Sequence, residues 1–380
     1  MTSLTPDIAV DEQNLDLPAP QLAVASQWRL MWLRFRRHRL ALISAGVLVV
    51  LYFLVFFCEI ISPYTPGHRD VHAIQAPPQR IRFVDAEGTI HLRPFVYAYR
   101  MEVDAHTWQR LYTPDTSSIH PIHLFVTGTK YRFWGLIPWD LHLFGTLTGG
   151  SVHLFGADRL GRDLFSRVLY GGRISLTIGL VGVTLTFLLG IVLGGIAGYF
   201  GGWIDGLTQR MIEVIQCIPQ LPLWMALSAS LPPDWSGLKI YFGITVILSF
   251  LGWTGLARVV RGKFLSLREE DFVVSARLLG ASRRRVIFRH MLPSFLSHII
   301  TSATMAVPGM ILGETALSFL GIGLRPPIVS WGVLLQQAQN YQAVSLTPWL
   351  LLPGLFVIIA VLAFNLVGDG LRDAADPYQH

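Results

Sequence analysis

Charge is scarce in this sequence. Only 14% of its 380 residues are charged, against 52% hydrophobic residues and a mean hydropathy of +0.48, a balance that a water-soluble domain of this length does not carry. A membrane-embedded chain is the first inference. Cysteine is nearly absent too: Cys58 and Cys217 both lie inside apolar stretches, so they say nothing of disulfides or metals. Also missing is any G-x-x-x-x-G-K-[ST] segment, which leaves the chain no loop for cradling nucleotide phosphates. The net charge of +6 and pI near 9.5 would suit nucleic acid. The arginines, however, cluster beside apolar runs, where anionic lipid headgroups match them better.

What is present in quantity is long apolar runs. A bilayer core of ~30 Å needs about 20 apolar residues in a helix, because lipid cannot satisfy open backbone groups. Runs of that kind occupy 40–61, 174–199, 211–231, 240–257, 299–322 and 349–367. The first is uncharged until Glu59 and reads as an uncleaved anchor, since a long basic region precedes it and no small-x-small cleavage site follows. The third contains Glu213, Gln216, Pro219 and Pro222, so it reads as a polar, kinked span facing protein rather than lipid. Six spans are expected. Arg29, Arg34, Arg36, Arg37 and Arg39 crowd the approach to the first of them, which predicts a cytoplasmic N-terminus and, after six crossings, a cytoplasmic C-terminus. The loop between the fourth and fifth spans carries nine basic residues from Arg258 to Arg289 and falls on the same side.

Between the first two spans, 62–170 is long and mixed in charge. Residues 80–84 and 89–92 flank Asp85-Ala86-Glu87-Gly88, the pattern of a β-hairpin, and 130–134 and 151–155 also look strand-like. We expect a small folded, β-containing extracytoplasmic insertion. Its histidines, at 72, 91, 106, 120, 123, 142 and 153, lack ligand-spaced acidic or cysteine partners and read as surface and turn residues, not a metal site. Residues 1–25 are polar and aperiodic, the signature of a disordered tail. The expected organisation is a tail over 1–39, a first helix over 40–61, the insertion over 62–170, a core over 171–370 and a C-terminal tail over 371–380.

The basic loop is the most informative segment. Ser266 and Glu269 have capping-box spacing, predicting a helix from Leu267. Phe272, Val273, Ala276 and Leu279 would share one face. Gly280 is a natural stop, Ser282 a natural N-cap, and Pro293 precedes the next span. Two short helices joined by a sharp turn are expected. Such a hairpin could rest on headgroups or dock a soluble partner through the close approach that glycine permits.

Ser275-Ala276, Gly280 and Leu292-Pro293 match in spacing the EAA loop of ABC-type importer permeases. Val274 stands where that pattern has Glu, Ser275 where it has the first Ala, and His290 where it has Ile. The ending Arg289-His290-Met291-Leu292-Pro293, the stretch 153–176, Gly313-Glu314-Thr315-Ala316-Leu317-Ser318-Phe319-Leu320-Gly321 and the stretch 365–373 all resemble the dipeptide and oligopeptide branch. The resemblance covers about 28–66 and 153–378 and leaves 67–150 unexplained. It implies an all-α membrane protein of the type I ABC importer permease fold, in a bacterial inner membrane, forming half of a pathway for peptides or related small solutes such as nickel chelates or oligosaccharides. It also implies a second, similar permease subunit, two cytoplasmic ATPases that hold the ATP and Mg, and an extracytoplasmic solute-binding protein. No catalytic residue, cofactor or metal is then expected in this chain. Its ATPase-coupling loop would comprise Ser275, Ala276, Leu279, Gly280, Ala281, Ser282, Leu292 and Pro293.

Glu213, Gln216 and Glu314 are the pore or gate candidates, because an acid inside the membrane is expensive. Glu213 has a second reading, an i,i+3 pair with Arg210. So has Glu314, as a cap for a neighbouring backbone. Pro308 and Gly309 would kink the fifth span. Glycines 190, 194, 195 and 198 form a small-residue stripe suited to helix packing. A secondary transporter would need inverted repeats, and a membrane enzyme paired catalytic groups at one depth. Neither pattern is visible.

Overall fold

The computed structural model describes residues 27–106, 110–147 and 149–375. The tail expected over 1–25 lies outside them, as do the last five residues. Among the described residues, five helices are long and apolar enough to cross a membrane: α2 (Arg39–Phe56, after the short α1, Gln27–Arg37), α4 (Leu164–Phe200, after α3, Cys58–Ile61), α7 (Gly237–Leu267), α11 (Leu296–Phe319) and the segment Pro348–Ala375, which contains α14 (Leu352–Ala375). The third expected span is instead a pair, α5 (Gly202–Cys217) and α6 (Gln220–Ala229), bent by 87°. Pro219, which has no N–H to extend the first helix, sits at the break. Within this chain the pair is buried only at Ile212 and Ser228, so the expectation that protein surrounds it is not met by the chain's own packing. Pro308 does not interrupt its span: α11 runs through it to Phe319.

The small-residue stripe explains how the bundle closes. A Cβ on Gly194 would lie 2.4 Å from the carbonyl oxygen of Ala257, and one on Gly198 2.7 Å from that of Arg261. Only glycine lets α4 and α7 approach so closely. Leu176, Ile178, Ile244, Leu248, Ile311 and Leu317 fill the resulting interior. At one end of the bundle α1 folds against the last turn of α14, where Phe35, Ala41 and Ala374 pack together. Both ends of the described chain therefore meet on one side.

The insertion caps the other end. Its first sheet is antiparallel, β1 (Arg82–Val84), β2 (Ile90–Val103) and β3 (Arg110–Pro121), and its second is the hairpin β4 (His123–Phe133) and β5 (Ile137–Gly145). The predicted first hairpin forms: Val84 pairs with Ile90, and the Asp85 carboxylate accepts from the N–H groups of Glu87 and Thr89, both at 2.9 Å, as turn-forming aspartates do. The strand expected at 151–155 does not form. There the backbone bonds to side chains instead, Val152 N–H to the Tyr64 hydroxyl at 3.0 Å and His153 N–H to Gln79 at 2.6 Å, which leaves no free ladder for a neighbouring strand.

Two of the histidines are not surface residues. His142 and His153 are buried. His153 stands between two carboxylates, Nδ1 at 3.2 Å from Asp163 and Nε2 at 3.5 Å from Asp70. Burial alone would lower its proton affinity, but Asp163 and Asp70 outweigh that and push its pKa up to about 9. The His153 ring in turn, against the effect of burial and with help from the His72 N–H, holds Asp70 well below the usual carboxylate range. Alongside, the buried Asp158 accepts from Leu160 N–H at 2.8 Å, Arg162 N–H at 3.0 Å and the guanidinium of the buried Arg167. These ion pairs bolt the insertion to the start of α4.

Candidate functional site

The basic loop lies at the end of the bundle away from the insertion. Its first helix does not start at Leu267: α7 continues to that residue, and α8 spans Asp271–Leu278 with Glu270 at its N-cap. The capping box therefore does not form, because packing holds Phe264 and Leu267 in the long helix. Val273 and Ala276 face the core as the spacing predicts, whereas Phe272 and Leu279 are exposed.

The turn itself follows the sequence closely. Gly280 has φ +79°, Gly280 N–H donates to Arg277 C=O at 2.9 Å and Ala281 N–H to Ala276 C=O at 3.0 Å. This is the glycine-terminated Schellman arrangement, in which the left-handed residue closes the last carbonyls of the helix. Ser282 then caps the next turn, its Oγ accepting from Arg285 N–H at 3.4 Å. That second element is α9 (Arg283–Arg285), a wide turn over Val286–Met291, and α10 (Leu292–Ser294). Val286 and Met291 anchor it in the core, Leu292 is half-buried and Pro293 is exposed.

Two arginines fix the hairpin to the bundle. Arg277 lies over the ring of Tyr199 at 5.2 Å and Arg283 over Phe200 at 5.6 Å, contacts of the cation–π type. What remains uncovered is the tip. Leu278 and Leu279 are 84% and 88% exposed, and nothing lies within 4 Å of where a Gly280 Cβ would be. Ser275 and Ser282 are exposed beside it and Ala281 is half-buried. An apolar, rigid tip ringed by basic side chains suits a protein groove better than water.

The three intramembrane candidates do not gather into one site. Glu213 pairs with Arg210 at 3.0 Å on an exposed face of α5. Gln216 donates to the Thr254 hydroxyl at 3.1 Å, beside a cavity of about 340 Å³ bounded by Ile218, Pro219, Leu223 and Leu251 at the bend. Glu314 is fully buried. Its carboxylate accepts from Ser175 at 3.0 Å, Ser318 at 2.8 Å and Ser330 at 2.7 Å. The same hydroxyls accept in turn from the N–H groups of Trp331, Leu324 and Val333. Glu314 thereby organises the start of α12 (Trp331–Gln336) and the turn that ends α11. A further pair, Asp205–Arg261, Nη2 to Oδ2 at 2.6 Å, ties α5 to the end of α7 without any signal in the sequence. Its members are 56 residues apart and no spacing rule links them. A second cavity, about 830 Å³, lies between the insertion and α13 (Tyr341–Leu346), with Arg110, Tyr112, Arg159, Asn340 and Trp349 in its walls.

Residues 190–379 match the family described as the binding-protein-dependent transport system inner membrane component. This chain belongs to that family. A second match, to the N-terminal TM domain of oligopeptide transport permease C, covers 26–78. Similar proteins include the dipeptide transport system permease protein DppC of Alkalihalophilus pseudofirmus, 41% identical over 61% of this chain and 74% of the relative. The oligopeptide transport system permease protein OppC of Haemophilus influenzae is 41% identical over 60% of this chain and 71% of the relative. A solved amino acid ABC transporter with histidines overlaps 54% of this chain and 92% of its own at 16% identity, with a TM-score of 0.39. The chain is thus a multi-pass permease of an ABC transport system, as its motifs indicated. The basic loop, α11 and α14 lie inside the first match, while all five strands fall between the two.

Proposed function

We propose that this chain is one of two permease subunits of an ATP-driven importer for dipeptides, oligopeptides or related small solutes. The observation that carries this reading is the family match over 190–379 together with relatives named as dipeptide and oligopeptide permeases. In this proposal the Gly280 hairpin is cytoplasmic and seats in a groove of an ATPase subunit, so that closure of the ATPases moves the hairpin and, through Met291–Pro293, the start of α11. ATP and Mg stay on the ATPases; no cofactor, metal or catalytic residue is assigned to this chain. The uncovered surface of α5 and α6 supplies a face for the second permease. Gln216, at the bend, is assigned to the solute path. Glu213 stays with Arg210, and Glu314 acts as a positioning residue for the gate formed by α11 and α12, not as a ligand. The insertion faces the solute-binding protein.

Affinity purification of the chain from its native membrane, followed by mass spectrometry, tests this directly. Two ATPases, a second permease and a peptide-class ligand are the expected companions. Recovery of the intact chain without any ATPase would overturn the proposal, a sugar or nickel chelate in place of peptide would move the substrate from peptides to the related small solutes, and a ligand of any other class would overturn the substrate assignment.

A further inference from the structure

The hairpin β4–β5 ends in Trp134-Gly135-Leu136, and the structure fixes where that turn lies. Trp134 donates from its indole N–H to the Phe56 carbonyl at 3.2 Å and from its backbone N–H to Glu59 at 3.2 Å. Arg173, which also binds Glu59 at 2.6 Å, lies over the indole at 4.4 Å. These contacts hold Trp134 at φ 51°, a backbone region bulky residues rarely enter. Phe56 is the last residue of α2, whose 18 residues span about 27 Å at 1.5 Å each, close to the ~30 Å hydrocarbon thickness. The turn is therefore level with the bilayer boundary.

Its chemistry fits that depth. Leu42, Val49, Phe53 and Phe56 are exposed along one face of α2, spaced as one helical stripe. The stripe continues onto the turn, where the Trp134 ring lies tilted against Phe56 at 5.3 Å. Leu136 is 81% exposed and Ile137 and Trp139 are exposed beside it. Lys130 and Arg132 are exposed nearby on β4. Apolar side chains flanked by tryptophan and basic residues, continuous with a lipid-facing stripe, are what an interfacial segment requires.

We propose that the β4–β5 turn is a lipid anchor, seated in the interfacial layer beside the end of α2, which holds the insertion at a fixed height over the pore. The test uses the full chain assembled in nanodiscs of mixed phosphatidylethanolamine and phosphatidylglycerol, with Cys217→Ser removing the exposed thiol and Leu136→Cys carrying a nitroxide. Val49→Cys serves as the lipid reference and Glu87→Cys as the polar-turn reference. The label at 136 should collide with oxygen several-fold more than with a water-soluble nickel chelate, relative to the label at 87. Equal nickel accessibility at 136 and 87 would overturn the anchor. So would exclusion of both relaxing agents at 136, because that outcome means another protein surface covers the turn.

Discussion

The two ends of the bundle treat polar and apolar groups in opposite ways. At the insertion end, charges are buried and matched within the chain: Asp158 with Arg162 and Arg167, His153 with Asp70 and Asp163, Glu59 with Arg173. At the loop end, apolar side chains are exposed at the tip of a hairpin and the basic residues around it outnumber the acidic ones. Buried ion pairs are costly to break but are weak as net stabilisers; their use here is to fix one geometry. The exposed hairpin leaves its contacts to be completed by something else. The charges of one end are finished within the single chain, and the apolar tip of the other is not.

The largest expected effect on stability lies at the finished end. Replacing Arg167 by Leu leaves Asp158 buried with Arg162 as its remaining cationic partner, at a cost of about 3 kcal/mol. In detergent the thermal unfolding midpoint should fall by several degrees and the insertion should become sensitive to protease. An unchanged midpoint would mean that Asp158 finds full compensation elsewhere, and the contrast between the ends would lose its main support.

The next effect depends on pH. His153 titrates at about 9 in the fold against about 6.5 for a free imidazole, so its contribution is complete below about 6.5 and is lost as pH rises through 9. Asp70, whose pKa is lowered, contributes above its ordinary range and loses that contribution on acidification. The junction should be tightest between roughly pH 4 and 6.5, with up to roughly 3 kcal/mol at stake for His153. Unfolding midpoints measured from pH 6 to pH 10 should decline in the natural chain and run flat in His153→Gln. Parallel curves for the two would show that folding leaves the proton affinity of His153 unchanged.

How much of this was readable beforehand differs between the ends in the same way. The loop end was legible because its determinants are local: Gly280 and Ser282 act on carbonyls and N–H groups within five residues. The capping box at Ser266 does not form because the local signal loses to tertiary packing of Phe264 in α7. The five spans were legible from length and hydropathy alone. The bent α5–α6 pair was visible as Pro219 but not as an 87° turn, since proline marks a break without setting its angle. At the insertion end, by contrast, His153 and Asp70 are 83 residues apart and Glu59 and Arg173 are 114 apart. Nothing in a local pattern announces such pairs, and so His153 read as a surface residue.

A smaller effect is expected from Glu314→Gln. The amide keeps the volume and one acceptor, but its NH2 group faces serine hydroxyls that already donate to the carboxylate. The cost should be about 1–2 kcal/mol, and solute uptake should fall through misplacement of α12 with ATPase docking intact. Wild-type uptake together with a wild-type unfolding midpoint would remove Glu314 from the positioning role.

The smallest effect on stability should come from Gly280→Asn at the loop end, and there the consequence for transport separates the two readings of the hairpin. A Gly280 Cβ meets nothing within 4 Å, so the only internal penalty for a substitution is the left-handed backbone, about 1–2 kcal/mol. Gly280→Asn, which tolerates that conformation, should be nearly silent in unfolding. Gly280→Trp should still insert and fold, since the space around the tip is open, yet its indole would occupy the volume an ATPase surface needs. Loss of uptake and of ATPase co-purification in Gly280→Trp, with both retained in Gly280→Asn, is the expected pattern. A hairpin that merely rested on headgroups would accept tryptophan readily. Normal uptake and normal ATPase retention in Gly280→Trp at matched expression would therefore eliminate the docking role and make the loop end as self-contained as the other.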